Sequence, residues 1–444
     1  MSSFHFFALS CALLFTMSLA NAQNPPVAPA NYDETKIPPF TLTDPLKTTD
    51  GRTVDTPELW NNVRKPELLK LFDEQMFGKL PATPITMALR PTPNAEGRDT
   101  TNQVVFNGKG ERWQRTLYLN KQESPLETAI AINVLIYTPS PENPRVTGKT
   151  PLFLGLNFQG NHTVNADPGI VLGTIWRDGK PVQATEEERG NQSSRWQIEK
   201  VLDRGYATAT AYYQEIEPDF NGGNKQGIRQ LFEQKGETHE GNAIATWAWA
   251  LSLIRASIEI EADVLNIDPD KIIVHGHSRL GKTSLWAGAT DPKFAMVISN
   301  NSGCGGAALS RREFGETVHR INTSFPHWFN GNFKKYNLNV NSLPFDQHEL
   351  IALMAPRPVY IASAEEDQWA DPKGEFLSGL YADPVYRLLG TDGIAGVKEM
   401  PGVNQPVGGK IGYHIRNGVH DVTEYDWELF LNFADKHLKY KHLR

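Results

Sequence analysis

The chain has 444 residues, of which 39% are hydrophobic and 21% charged, with a formal net charge of −7. That composition supports one large α/β domain or two smaller ones and excludes global disorder. The acidic balance, without any basic block, argues against nucleic acid or anionic lipid as a partner.

Residues 1–22 read as a secretory signal. The stretch 6–19 is apolar, and Ala20-Asn21-Ala22 forms a small-x-small cleavage site before Gln23. The apolar stretch is short for a membrane span and has no basic flank. The two cysteines are Cys11 and Cys304, so cleavage would leave no intramolecular disulfide. An exported protein without a bridge fits the bacterial periplasm or exterior. Residues 23–58, rich in Pro and polar groups, read as an extended lead-in to a domain over 59–444.

Within that domain, residues 63–79 have helical spacing, with Leu68, Leu69, Phe72, Met76 and Phe77 on one face. Four β-rich segments follow at 85–90, 103–106, 115–118 and 129–137. The last alternates through Ile130, Ile132, Val134 and Ile136. These are expected to be the antiparallel start of a mixed sheet. From Pro151 the pattern changes to strand–helix alternation. Strands are predicted at 152–156, 206–211, 272–274, 294–299, 359–362 and 411–415. Helices are predicted at 195–204, 243–262, 280–289 and 425–438. This rhythm predicts a doubly wound, mostly parallel sheet. Two polar stretches, 161–194 and 215–240, are too long for simple connections and read as lids or binding walls.

The most informative segment is Gly276-His-Ser278-Arg279-Leu280-Gly281-Lys282. A short β-branched run precedes it and a helical pattern follows. Ser278 therefore sits at a strand-to-helix corner, near the positive end of the helix dipole. Acyl transfer needs its nucleophile there. The order along the chain is then Ser278, Asp367, His420, each after a strand, at the carboxyl edge where such sheets place ligands. Glu365, Glu366 and Asp371 compete with Asp367, and His414 competes with His420. A serine at such a corner can also merely cap the helix. The second glycine comes one place later than in G-x-S-x-G, and a charged residue follows the nucleophile directly. The backbone N–H of Arg279 is placed to serve an oxyanion hole, and its guanidinium could add a donor. A surface salt bridge is the plainer alternative for Arg279, and helix-end solvation for Lys282, one turn after Ser278. His275 and His277 do not have the spacing of a metal pair, so no metal is expected.

Gly276-His-Ser-Arg-Leu-Gly-Lys282 resembles the G-[CH]-S-R-x-G-K signature of the glucuronoyl esterases, carbohydrate esterase family 15. The likeness continues through Asn301-Ser-Gly-Cys-Gly-Gly306, Asp367-Gln-Trp369-Ala-Asp-Pro372 and Gly418-Val-His420-Asp421. The resemblance implies an α/β-hydrolase fold, a three-layer α/β/α sandwich with antiparallel N-terminal strands. It implies cleavage of esters between the 4-O-methyl-glucuronic acid of glucuronoxylan and lignin alcohols, by a monomer without cofactor. It also assigns Ser278 as nucleophile, His420 as base, Arg279 as oxyanion partner, and Lys282, Glu316 and Trp369 as sugar contacts. For Glu316 the alternative is pairing with an arginine, and for Trp369 core packing. Many members carry a catalytic Glu where this chain has Asn301, which cannot act as a carboxylate, so the acid falls to Asp367. The competing readings are an acetyl-xylan or other carbohydrate esterase, and a catalytically silent carbohydrate-binding relative.

Overall fold

A computed structural model describes residues 27–439, apart from 81–84, 94–101, 123, 125–127 and 232–240. The expected signal at 1–22, the start of the lead-in and the end of the 215–240 stretch lie outside the described residues. Among the described residues, eleven strands form one sheet and two form a separate hairpin. In chain order they are β1 (Ile85–Pro91), β2 (Gln103–Val105), β3 (Gly110–Lys121), β4 (Ile130–Pro139), β5 (Thr150–Asn157), β6 (Thr174–Arg177), β7 (Lys180–Gln183), β8 (Ala207–Tyr212), β9 (Ile267–His277), β10 (Met296–Asn300), β11 (Val359–Ala364), β12 (Val407–Gly408) and β13 (Ile411–Arg416).

The sheet order is β1-β3-β4-β8-β5-β9-β10-β11-β13-β12, with β2 beside β3. The strands up to the β4–β8 junction pair antiparallel. From β8 through β5, β9, β10 and β11 to β13 every pairing is parallel. The expected mostly parallel sheet with antiparallel N-terminal strands is therefore present.

The parallel strands read as unbroken apolar runs because both of their faces are covered. Successive side chains point to opposite faces. Leu152, Leu154, Val274, Val297 and Ile361 face a large core shared with Trp247 and Leu251 of the helix Ala243–Ile260 and Leu285 of the helix Arg279–Thr290. Phe153, Ile273, Ile298 and Tyr360 face a second cluster with Trp427 and Phe430 of the helix Glu424–Ala434. Helices on both faces of one sheet make the three-layer sandwich.

Three elements depart from the expected pattern. The helix at 195–204 is two pieces, Ser193–Trp196 and Ile198–Asp203, because Gln197 between them is left-handed at φ 46°. The segment 63–79 is regular only over Lys65–Phe72, with wider turns at Trp60–Arg64 and Asp73–Phe77. It still buries Leu68, Phe72, Met76 and Phe77 together. The helix Pro372–Leu388 was not anticipated, since Gly374, Gly379 and Pro384 lower its propensity. Its start is nevertheless written locally: Pro372 is at the first helical position and the Asp371 carboxylate accepts from Gly374 N at 3.0 Å.

The stretch 161–194 is not a bare loop. It carries the β6–β7 hairpin and buries His162, Val164, Ile170 and Ile175. In the second stretch Arg229 holds Glu217 through two bonds of 2.6 Å.

Candidate active site

Ser278 links β9 to the helix Arg279–Thr290 at φ 57°, ψ −127°. Such a conformation costs a non-glycine residue about 1–3 kcal/mol and persists only where its surroundings impose it. Here Ser278 N donates to Asn300 O at 2.9 Å, while Ser278 O accepts from Gly281 N at 2.9 Å and Lys282 N at 3.1 Å. The two glycines explain the shifted motif. A Cβ on Gly276 would lie 2.0 Å from Leu280 O. One on Gly281 would lie 3.0 Å from Ser302 Cβ. Position +2 is Leu280, buried in the core, so the close approach to the end of β10 falls at +3. The Ser278 side chain makes no capping hydrogen bond. Its hydroxyl is thus not committed to the helix end.

The next three parallel strands deliver the partners. Asn301 follows β10, Asp367 follows β11 and His420 follows β13. His420 Nδ1 is 2.6 Å from Asp367 Oδ2, and Asn301 Nδ2 donates to the same oxygen at 2.8 Å. Burial pushes the Asp367 carboxyl up, but the bonds from His420 and Asn301 outweigh it and hold the group below the usual carboxylate range. Of the rival acids, Glu365 and Glu366 are exposed, and Asp371 is bound by Arg312 at 2.8 Å. His414 is fully buried between Tyr360 Oη at 3.0 Å and Asp426 Oδ1 at 2.9 Å. The His420 ring packs against His277, the residue before the serine, with ring centroids 4.4 Å apart. Burial pushes His277 down to about 3, so this neighbour is neutral at ordinary pH.

With that geometry in view, comparison with known proteins is direct. A family model described as glucuronyl esterase, fungi, matches residues 193–390. The chain is 47% identical over 423 residues to a carbohydrate esterase from an unknown prokaryotic organism, covering 92% of each. Two solved structures are similar over nearly the whole chain. One is a promiscuous family 15 esterase from a marine bacterial metagenome, with 45% identity, a TM-score of 0.82, and 92% of this chain and 100% of that one covered. The other is a glucuronoyl esterase from Solibacter usitatus, with 43% identity, a TM-score of 0.83, and 91% and 100% covered. The chain belongs to carbohydrate esterase family 15, the glucuronoyl esterases. It is a carboxylic ester hydrolase.

The remaining expected site residues, Lys282, Glu316, Trp369 and Arg279, connect to the Ser278 corner. Lys282 is buried, donates to Ser302 O at 2.5 Å and lies 3.8 Å from Glu316 Oε2. It does not solvate a helix end. Among the described residues Glu316 pairs with no arginine: Arg311 is bound to Asp346, and Arg312 to Asp371 and Glu34. Burial raises the Glu316 carboxyl despite Lys282. Glu316 N donates to Trp369 O at 3.0 Å, and the Trp369 side chain is 39% exposed, so this ring is not core packing. Arg279 forms a pair with Asp219 that is largely shielded from solvent, not a surface one, and its guanidinium lies 4.8 Å from the Trp328 ring. Among the described residues no group of three His, Cys, Asp or Glu side chains could hold a metal ion.

Several neighbours of the site had no sequence signal. Asp219 is one. Another is a buried chain in which His277 Nδ1 meets Asn300 Oδ1 at 2.6 Å and Asn300 Nδ2 meets Asp426 Oδ1 at 3.3 Å. Arg416 Nε then meets Asp426 Oδ2 at 2.8 Å. The third is Glu375, beneath Ser302, Gly303 and Ser363. Each depends on contacts between strands or helices far apart in sequence.

Proposed function

We propose that this esterase cleaves the ester joining the glucuronic acid of glucuronoxylan to a lignin alcohol, through an acyl-enzyme formed on Ser278. What carries the reading is the His420–Asp367 contact beside the strained Ser278 corner. With Nδ1 committed to Asp367, the His420 ring has Nε2 left to take the Ser278 proton. Ser278 Oγ then attacks the uronate carbonyl. The Arg279 backbone N–H and guanidinium stabilise the oxyanion. His420 returns the proton to the departing alcohol, and water repeats the sequence to free the uronate. Lys282 and Glu316 offer charged hydrogen-bond partners for a polyhydroxylated sugar, and the half-exposed Trp369 offers an aromatic face. No cofactor takes part. The reading of residues 1–22 supports export, with Gln23 as the first mature residue.

The test is hydrolysis of benzyl glucuronate and of acetylated xylan by the mature chain, with Ser278→Ala alongside. Release of benzyl alcohol that disappears in the variant is the expected result. Acetate release alone would indicate a deacetylase, and silence on both substrates would favour a binding protein.

A further inference from the structure

Asp219 lies 60 residues before Arg279, in the stretch between β8 and the helix Ala243–Ile260. Its side chain is only 3% exposed. Oδ1 accepts from His327 Nε2 at 2.8 Å and from Trp328 Nε1 at 2.7 Å. Oδ2 accepts from Tyr213 Oη at 2.9 Å and from Arg279 Nη1. Burial works against the charge, but these donors and the guanidinium bring the carboxyl down to about 2, so it stays ionised. The guanidinium it binds has aromatic neighbours: Trp328 at 4.8 Å, Phe325 at 5.6 Å and Phe158 at 6.0 Å. A planar guanidinium fixed at one nitrogen and packed among rings has little freedom to turn. Arg279 Nε is buried and has no hydrogen-bond partner. A buried unmade donor costs about 1–3 kcal/mol, a cost that the Asp219 pair and the ring packing together impose on the guanidinium.

We propose that Asp219 is a positioning residue for ester hydrolysis: it holds Arg279 in the one orientation that leaves unspent guanidinium N–H donors for the oxyanion formed at Ser278. Asp219 itself touches neither the proposed nucleophile nor its base. It acts through Arg279, and it ties the 215–240 stretch to the catalytic corner. The proposal rests on the acyl-enzyme reading above and on Arg279 as an oxyanion donor.

The experiment compares kcat and KM on benzyl glucuronate for the mature chain and for Asp219→Asn, Arg279→Ala and the double variant, with Ser278→Ala alongside. Asp219→Asn is expected to lower kcat about tenfold or more while KM moves by about threefold or less. In the Arg279→Ala background the same change should cost about twofold or less. Methylguanidinium added to Arg279→Ala should restore part of kcat, and should restore none in the double variant. A merely structural role for Asp219 would not make rescue depend on it. If Asp219→Asn does not fold, Asp219→Glu keeps the charge but displaces the carboxylate, and the same fall in kcat is expected. An unchanged kcat in the folded variant, equal losses in both backgrounds, or equal rescue with and without Asp219 would each overturn the proposal. Hydrolysis persisting in Ser278→Ala would instead overturn the acyl-enzyme reading.

Discussion

Asp367 Oδ2 takes both His420 and Asn301, and the two bonds do different work. The bond from His420 fixes the imidazole tautomer, so Asp367→Ala should lower kcat by about 10³–10⁴, read by steady-state hydrolysis of benzyl glucuronate. The bond from Asn301 only helps keep the carboxylate ionised, so Asn301→Ala should cost about tenfold or less. A wild-type rate in Asp367→Ala would send the acid role elsewhere. Glu375 has the opposite electrostatics. Burial raises its carboxyl to about 8, despite bonds from Ser363 and Gly303. A carboxylic acid whose folded pKa exceeds its unfolded value keeps its proton in the native state while the unfolded chain releases it. Its effect on stability therefore turns unfavourable as pH rises from the ordinary Glu range, 4.5, towards about 8. Glu375→Gln removes this effect and can keep the same hydrogen bonds. The melting temperature of Glu375→Gln relative to wild type should therefore climb between those pH values; a pH-independent difference would refute it. That Asp367 and His420 would meet was legible, because chain order and turn chemistry are local. The support from Asn301 was not, because it needs the ends of β10 and β11 side by side.

Between elements, the active corner is set by four neighbouring strand ends, and Arg416 locks the last of them. It binds Asp426 Oδ2 at 2.8 Å and donates to the carbonyls of Asn417 at 2.9 Å, Val419 at 3.1 Å and Asp421 at 2.6 Å, which flank His420. Both Arg416 and Asp426 are buried. Arg416→Met would leave Asp426 without its guanidinium and release the loop. It should destabilise the fold by about 3 kcal/mol or more, measured by urea unfolding. In the folded fraction kcat should fall about tenfold. Stability lost with kcat intact would mean that the loop holds its shape without these bonds. Arg416 could not be singled out beforehand, since it looks like any polar residue ending a strand. The strands themselves were legible, because apolar runs bounded by turns are a local signal. The helix Pro372–Leu388 was masked by its glycines and proline, whose cost is offset by packing of Phe376, Val385 and Tyr386 into the core.

Over the whole molecule, both long polar stretches reach the edge of the sheet that carries Ser278. Just past the end of the first, Arg195 Nε binds Asp421, the residue after His420, at 2.5 Å. The second holds Arg279 through Asp219. They also meet each other: the ring of Trp176, on β6, lies 5.7 Å from that of Phe220, the residue after Asp219. Both rings are only half-buried. Their polar, aperiodic sequence marked these stretches as walls, but which residues face the cleft is decided by how the hairpin folds back. A half-buried aromatic pair joining the two stretches suits the alcohol side of an ester better than the sugar side, for which we propose Lys282, Glu316 and Trp369. Trp176→Ala should therefore raise KM for benzyl glucuronate by about two- to tenfold, the worth of one aromatic contact, while methyl glucuronate, with no ring to stack, is hydrolysed as before. Equal changes for the two esters would place the hairpin away from the alcohol. A larger change for the methyl ester would mean that Trp176 supports the sugar subsite.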